Sequence, residues 1–387
     1  MISSKYSDLT LGQNEQAEKM KKLWKEHLEA VRPYVPGKPI EEVKRELELD
    51  NVIKLASNEN PLGPPPGVVR AITEAAGEVN RYPDGGCFYL RQALCEKLSI
   101  SGDNVIFGNG SDEVIVLALR AMLRHDEEVI IAHPTFLIYN IASLVEEANV
   151  RTVPMKDFRY DLKAMAGAIT DRTKIVFISN PDNPTGSYVT KDEMDDFMQR
   201  VPEGVVVFLD EAYGEFAKGD DYPETLELIN REDKNVIITR TFSKAYSLAG
   251  LRVGYGLARK DIIEVLNKVR EPFNVNSLAQ AAALAALKEE GHLNRSLALV
   301  REEKKKFYSQ FDGMDLTYIP SRTNFVLVNA GRDSREVFSY LLKRGVIVRE
   351  MTSWGIDGFI RVNIGLREEN EVFFRALKDA VRDIPRL

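Results

Sequence analysis

Through the middle of the chain, short uninterrupted apolar runs alternate with longer segments whose apolar residues return every three or four positions. NVIFGNG is followed by SDEVIVLALRAMLR, EVIIAHP by FLIYNIASLVEEA, and KIVFISNP by KDEMDDFMQRV, while GVVVFLDEAY and NVIITRTF close the series. Apolar runs without polar alternation predict strands buried on both faces, and the amphipathic segments between them predict covering helices. The fold class that follows is α/β, with a mainly parallel sheet. In such sheets the loops converge at the carboxyl ends of the strands, and ligands sit there.

After residue 258 the pattern changes. Three long helical segments (DIIEVLNKVREP, SLAQAAALAALKEE and LNRSLALVREEKKKFYSQF) precede short strands and helices running from LTYIP to EENEVFFRALKDAVRD. That mixture predicts a smaller α+β domain. Near the other end, the prolines and glycine of RPYVPGKP mark a boundary after a charged arm. The expected division is an arm at 1–28, a small domain from 29–55 and 293–387, and a large domain at 56–292. The charge runs KKLWK and REEKKK read as solvated helix faces.

Composition narrows the classes of partner. The chain has 387 residues, 44% of them hydrophobic, which is enough for two buried cores. A net charge of -7 with no long basic block argues against nucleic acid and membrane surfaces. No apolar stretch has the length of a membrane span and the N-terminus has no signal-like core, so the expected compartment is the cytoplasm. Cys87 and Cys95 fall in one helical pattern that separates them by about 12 Å, too far for a disulfide. The four histidines are scattered without ligand spacing, and no metal is expected.

The predicted strand ends carry the chemistry. KIVFIS runs into NPDNPTG, a tight loop presenting Asn183, and GVVVFL runs into DEAY, with Asp210 and Tyr213. NVIITR runs into TFSK, with Ser243 and Lys244, and Arg252 follows in LRVGY. In GNGSDEV, Ser111, Asp112 and Glu113 open a helix after a glycine turn, a place that suits either an anion or simple capping. Taken singly, each residue has a structural reading. Together, an amine, a carboxylate, a tyrosine, an amide, an arginine and an anion loop at one sheet edge match the needs of pyridoxal phosphate: a Schiff-base amine, an acid for the ring nitrogen, donors for the ring hydroxyl and a phosphate cradle.

The ordered words SNENP, GNGSDE, NPDNPTG, DEAY and SKAYSLAGLRVGY, with PYVPGKPIEEVKRE, LASNENPLGP and RYPDGG, resemble the fold type I pyridoxal-phosphate aminotransferases, and within them the histidinol-phosphate aminotransferases, over roughly residues 29 to 385. The resemblance implies a large domain with a seven-stranded type of sheet. It also implies that Lys244 holds the cofactor, Asp210 faces the ring nitrogen, Tyr213 and Asn183 contact the ring hydroxyl, and Phe136 stacks on the ring. Ser111, Asp112, Glu113, Ser243 and Arg252 would surround the phosphate. Family members are homodimers in which a neighbouring tyrosine reaches that phosphate, and Tyr82 occupies the matching position.

Substrate binding is expected from Arg361 in FIRVNIG, Arg349 in VIVRE, Tyr34 in RPYVPGKP and Asn60 in SNENP. An arginine fork suits a carboxylate or phosphate, so the same groups would serve histidinol phosphate and glutamate or 2-oxoglutarate in alternation. Between the arginines, Met351 and Trp354 offer apolar surface, and this segment resembles relatives that accept phenylalanine or tyrosine. The function expected is histidinol-phosphate:2-oxoglutarate aminotransferase of histidine biosynthesis, with an aromatic aminotransferase as the alternative. Decarboxylation of a phosphorylated amino acid uses the same cofactor and stays open. A nucleotide-phosphate module is disfavoured, because neither GxxxxGK[ST] nor GxGxxG occurs.

Overall fold

The computed structural model describes residues 23–217, 219 and 221–386; most of the N-terminal arm therefore lies outside the described residues. The five anticipated apolar runs are strands of one seven-stranded sheet. In spatial order its strands are Val105–Gly108, Gly254–Ala258, Asn235–Thr241, Val206–Asp210, Thr173–Ser179, Glu128–His133 and Asn149–Pro154. Gly254–Ala258 runs antiparallel to both neighbours, and the other pairings are parallel. Two of these strands, Asn149–Pro154 and Gly254–Ala258, are not anticipated by the apolar pattern.

Successive side chains of a strand point to opposite faces, and both faces here are dry. Val176, Ile178, Val207, Leu209, Val236 and Ile238 join one core, while Ile175, Phe177, Val206, Phe208 and Ile237 join the other. The helix Ser111–Met122 buries Val114, Ile115, Ala118 and Leu119 against the second face. Its start lies so close to the sheet that a Cβ on Gly254 would meet the Ser111 nitrogen at 2.5 Å. That contact accounts for a glycine at the head of this strand.

A second, antiparallel sheet has the order Arg349–Glu350, Phe359–Asn363, Phe325–Asn329 and Tyr318–Ile319. With the helices Glu290–Asp312, Ser334–Leu342 and Arg367–Asp383 it encloses a separate core that includes Phe307, Val326, Val362, Phe373 and Leu377. The segment 55–58 continues a short parallel pair, Ile53–Lys54 with Val346–Ile347, toward Tyr213 and Lys244, to which Asn58 and the Ser57 carbonyl are hydrogen-bonded. Leu55 N–H donates to the Ile347 carbonyl at 2.7 Å and Asn363 N–H to the Leu55 carbonyl at 3.0 Å.

The reading of REEKKK as a solvated face needs correction. Glu303 and Lys304 are buried, because the face of the long helix Glu290–Asp312 that carries Val300, Phe307 and Phe311 packs into the second core. Asn370 donates to Glu303 at 2.9 Å, and Lys304 donates to the Ser321 and Thr323 carbonyls. Among the described residues, no helix is long and apolar enough to cross a membrane.

Candidate active site

The carboxyl ends of the parallel strands bring together the groups that the sequence distributes over 140 positions or more. Ser179 and Asp210 are register partners on adjacent strands, and Asp210 in turn pairs with Thr239. Lys244 follows the end of Asn235–Thr241 by three residues. These ends open on a cavity of ≈ 270 Å³ lined by Ser111, Asp112, Phe136, Asn183, Asp210, Tyr213, Ser243, Lys244 and Arg252. Tyr34, Arg349 and Arg361 close its far side.

Each polar group has a definite support. Lys244 Nζ lies 3.2 Å from the Ser57 carbonyl and 5.7 Å from the centre of the Tyr213 ring. Burial, with the positive charge of Arg361 adding to it, lowers its pKa to about 8. Asp210 accepts from Tyr139 Oη at 2.6 Å and from the Ala212 N–H at 3.0 Å. Burial still outweighs those bonds and raises its pKa to about 6. Tyr213 Oη accepts from Asn58 Nδ2 at 2.8 Å, and burial raises its pKa to about 12.

At the other end of the cavity, Gly110 adopts φ 83°, and a Cβ there would meet Arg252 Nη2 at 2.5 Å. The glycine thus lets the guanidinium lie against the first turn of Ser111–Met122. Arg252 also approaches Ser243 Oγ at 3.3 Å and Asp112 at 3.4 Å. A helix N-terminus, two hydroxyls and a guanidinium make a cup for a dianion. The side chain of Glu113 is outside it: its carboxylate accepts from the Asn109 N–H and from Asn274 at 2.7 Å, which fixes the glycine turn. Only its backbone remains available to an anion.

Arg361 and Arg349 are the unusual pair. They stand opposite each other as register partners on antiparallel strands. Arg361 donates to Asn183 Oδ1 and to the Ala56 carbonyl at 2.9 Å, and Arg349 donates to the Val35 carbonyl at 2.6 Å. Neither forms an ion pair among the described residues, and the Nε of each lacks an acceptor there. Their guanidinium carbons lie 5.9 and 4.8 Å from the Trp354 ring.

Asn60, Met351 and Trp354 lie outside this cavity, and so does Tyr82, which is expected to reach a partner's phosphate and not its own chain's. Asn60 does not line the cavity; it donates to the Ala245 carbonyl at 3.0 Å and to Ser296 at 2.8 Å, tying the segment after Asn58 to the loop after Lys244. Asn58, two residues earlier and at φ 55°, does line the cavity. Tyr82 is 84% exposed, stacked on Phe273 at 4.8 Å, and does not line this chain's own cavity. Met351 and Trp354 are buried in a small core with Leu327 and Ile356 behind the arginines rather than lining the cavity. Tyr139 is a site residue that the sequence pattern does not single out; it is buried on the helix Leu137–Val145, which covers Asp210.

Comparison with known proteins agrees with this geometry. The chain is 51% identical over 355 residues to a histidinol-phosphate aminotransferase of Moorella thermoacetica, covering 92% of each chain. It is 47% identical to histidinol-phosphate aminotransferase 2 of Carboxydothermus hydrogenoformans, covering 91% of this chain and 97% of the relative. The crystal structure of histidinol-phosphate aminotransferase from Sinorhizobium meliloti in complex with pyridoxal-5'-phosphate superposes with a TM-score of 0.85 at 29% identity, over 95% of this chain and 99% of that one. The family model for aminotransferase class I and II matches residues 50–377, a span that takes in the whole seven-stranded sheet, Lys244 and both arginines, and the chain belongs to that family.

Proposed function

We propose that this chain is a histidinol-phosphate:2-oxoglutarate aminotransferase of histidine biosynthesis, using pyridoxal phosphate and acting as a cytoplasmic homodimer. The observation that carries the substrate reading is the pair Arg349 and Arg361, two buried cations without a carboxylate partner among the described residues, opening on the same cavity as Lys244. Two fixed forks there suit a phosphate in one half-reaction and a carboxylate in the other.

The donor set fits the cofactor. Its phosphate would take Ser111, Ser243, Arg252 and the helix start, with Asp112 and Glu113 contributing through backbone N–H groups, and Phe136 would cover the ring. When bound, pyridoxal phosphate supplies a ring that accepts the negative charge left at the substrate Cα after its proton departs. Asp210 would face the ring nitrogen and hold a proton there, with Tyr139 and the Ala212 N–H keeping the carboxylate in place. Asn183 and Tyr213 would hold the ring hydroxyl, Asn58 fixing Tyr213. Lys244 would attach the cofactor and, once released, its Nζ would take the proton from the substrate Cα and deliver it to the cofactor's C4′. A pKa of about 8 leaves that amine partly neutral near physiological pH, as a general base requires.

The small unit that closes the site is proposed to consist of residues 29–55 and 293–387, against a cofactor-binding unit of 56–292. Support comes from the second core, which draws on Leu55 and on residues from Val300 onward. The dimer reading rests on the family resemblance and on the exposed aromatic surface of Tyr82, Phe88, Tyr89 and Phe273, from which Tyr82 would reach a partner's phosphate. Two unpaired cysteines suit a reducing compartment.

The cofactor-loaded protein should be mixed separately with histidinol phosphate, glutamate and phenylalanine while the visible absorbance is followed. Fast conversion with the first two and slow conversion with phenylalanine is expected. Preference for phenylalanine would reassign the enzyme to aromatic substrates, and carbon dioxide without a keto product would make it a decarboxylase.

A further inference from the structure

A second cavity, of ≈ 750 Å³, lies where the loops around Asp157 and Tyr188 meet the helix Glu290–Asp312 and the segment after Ile319, and it shares no lining residue with the one around Lys244. One wall carries Phe216, from the short helix that follows Tyr213; the other carries Val300 and Ile319. At its base is Lys304, 9% exposed. An ammonium has three N–H donors. Two go to the carbonyls of Ser321 and Thr323, and the third has no acceptor among the described residues. No carboxylate lies within ion-pair distance of Lys304 there either.

The rim is cationic. Arg301 and Lys305 are exposed and form no ion pair among the described residues, and Arg322 rests on the Tyr188 ring at 4.9 Å. Arg159 is already held by Glu193, and Asp157 and Glu215 are the acids on the lining. A buried ammonium without a counter-ion is costly, and an apolar residue at this helix position would fill the space at less expense. Burial and the neighbouring Arg322 lower the Lys304 pKa to about 7, so an anion in the cleft would relieve a real electrostatic penalty.

We propose that this cleft binds a small organic anion with an apolar body, its acidic group accepting from Lys304 and its body lying against Phe216, Val300 and Ile319. The rim cations attract the anion and the apolar walls select against inorganic ions. Both walls continue into the catalytic cavity: Phe216 follows Tyr213, and the Arg322 N–H donates at 2.8 Å to the carbonyl of Gly186, in the loop that carries Asn183. An occupant therefore favours one placement of the two sheets, whichever substrate the enzyme uses.

The test is a fluorescence titration of the cofactor-loaded protein with 8-anilinonaphthalene-1-sulfonate, an aromatic anion, together with a melting curve. Saturable binding that raises the melting temperature is expected, with Kd weakened by about tenfold or more, roughly 1.4 kcal/mol, in Lys304→Met. Because that variant removes two buried donors, the exposed rim double variant Arg301→Glu/Lys305→Glu serves as a second probe and should weaken binding similarly with an unchanged melting curve. Unsaturable binding, an unaltered Kd in the rim variant, or loss of binding only in Arg361→Leu would overturn the proposal.

Discussion

Arg349 and Arg361 face each other across an antiparallel pair of strands, and neither has a carboxylate within reach among the described residues. Like charges directly opposite on a sheet destabilise it. Carbonyl acceptors and the Trp354 ring offset part of that repulsion, and an anion bound between the two guanidinium groups would offset the rest. Arg361→Leu is expected to lower kcat/KM by about 10²-fold, the worth of two charge-assisted hydrogen bonds. The melting temperature should stay level or rise. Steady-state kinetics and a melting curve check both halves, and a collapse in melting with activity retained would mark the arginine as structural.

The bond from Tyr139 to Asp210 sets the ionisation of the acid. Tyr139 stacks on Phe177 at 4.8 Å, so Tyr139→Phe keeps the packing and removes only the hydroxyl. That hydroxyl lowers the Asp210 pKa, which should rise further in the variant. The acid limb of the kcat profile is expected to move to higher pH, with a loss near neutrality of less than about tenfold. An unmoved limb would separate Tyr139 from the chemistry.

Asp210 also places a cost on the cofactor-free protein. Its folded pKa, about 6, lies above the usual carboxylate value, so between about pH 4 and 6 the folded chain binds more protons than the unfolded one. Stability attributable to this residue therefore falls as pH rises through that window and is level above it. Measured without cofactor, the melting temperature of wild type relative to Asp210→Asn should drop from pH 4 to pH 6. A flat difference would mean that the carboxyl titrates normally.

Tyr82 is too exposed to serve its own chain's cavity. Lys244→Ala should be inactive, and Tyr82→Ala should hold the cofactor weakly. Co-expressed, the two should give hybrid dimers in which one site has both native residues, with more activity than either parent. No gain on mixing would argue that Tyr82 acts within its own subunit or not at all.

The alternation of apolar runs determined the buried strands at the centre of the sheet, because a strand covered on both faces needs an unbroken apolar run whatever its neighbours are. It did not reveal Asn149–Pro154, where Val153 alone is buried, or Gly254–Ala258, whose glycine answers to a helix start far away in sequence. The candidate site groups were legible for a similar reason. Asp210 ends a strand and Asn183 and Lys244 follow one within a few residues, so locating the strand locates the group. Asn58 and Tyr139 were not legible, since one depends on the segment 55–58 meeting Tyr213, far away in sequence, and the other on which helix covers Asp210. Lys304 belongs with these: a charge run on a helix looks the same whether it meets water or a cleft, and only packing against Ser321 and Thr323 decided that it is buried. Sequence carries what is set by burial and by near neighbours along the chain, while contacts between distant segments are settled by tertiary packing.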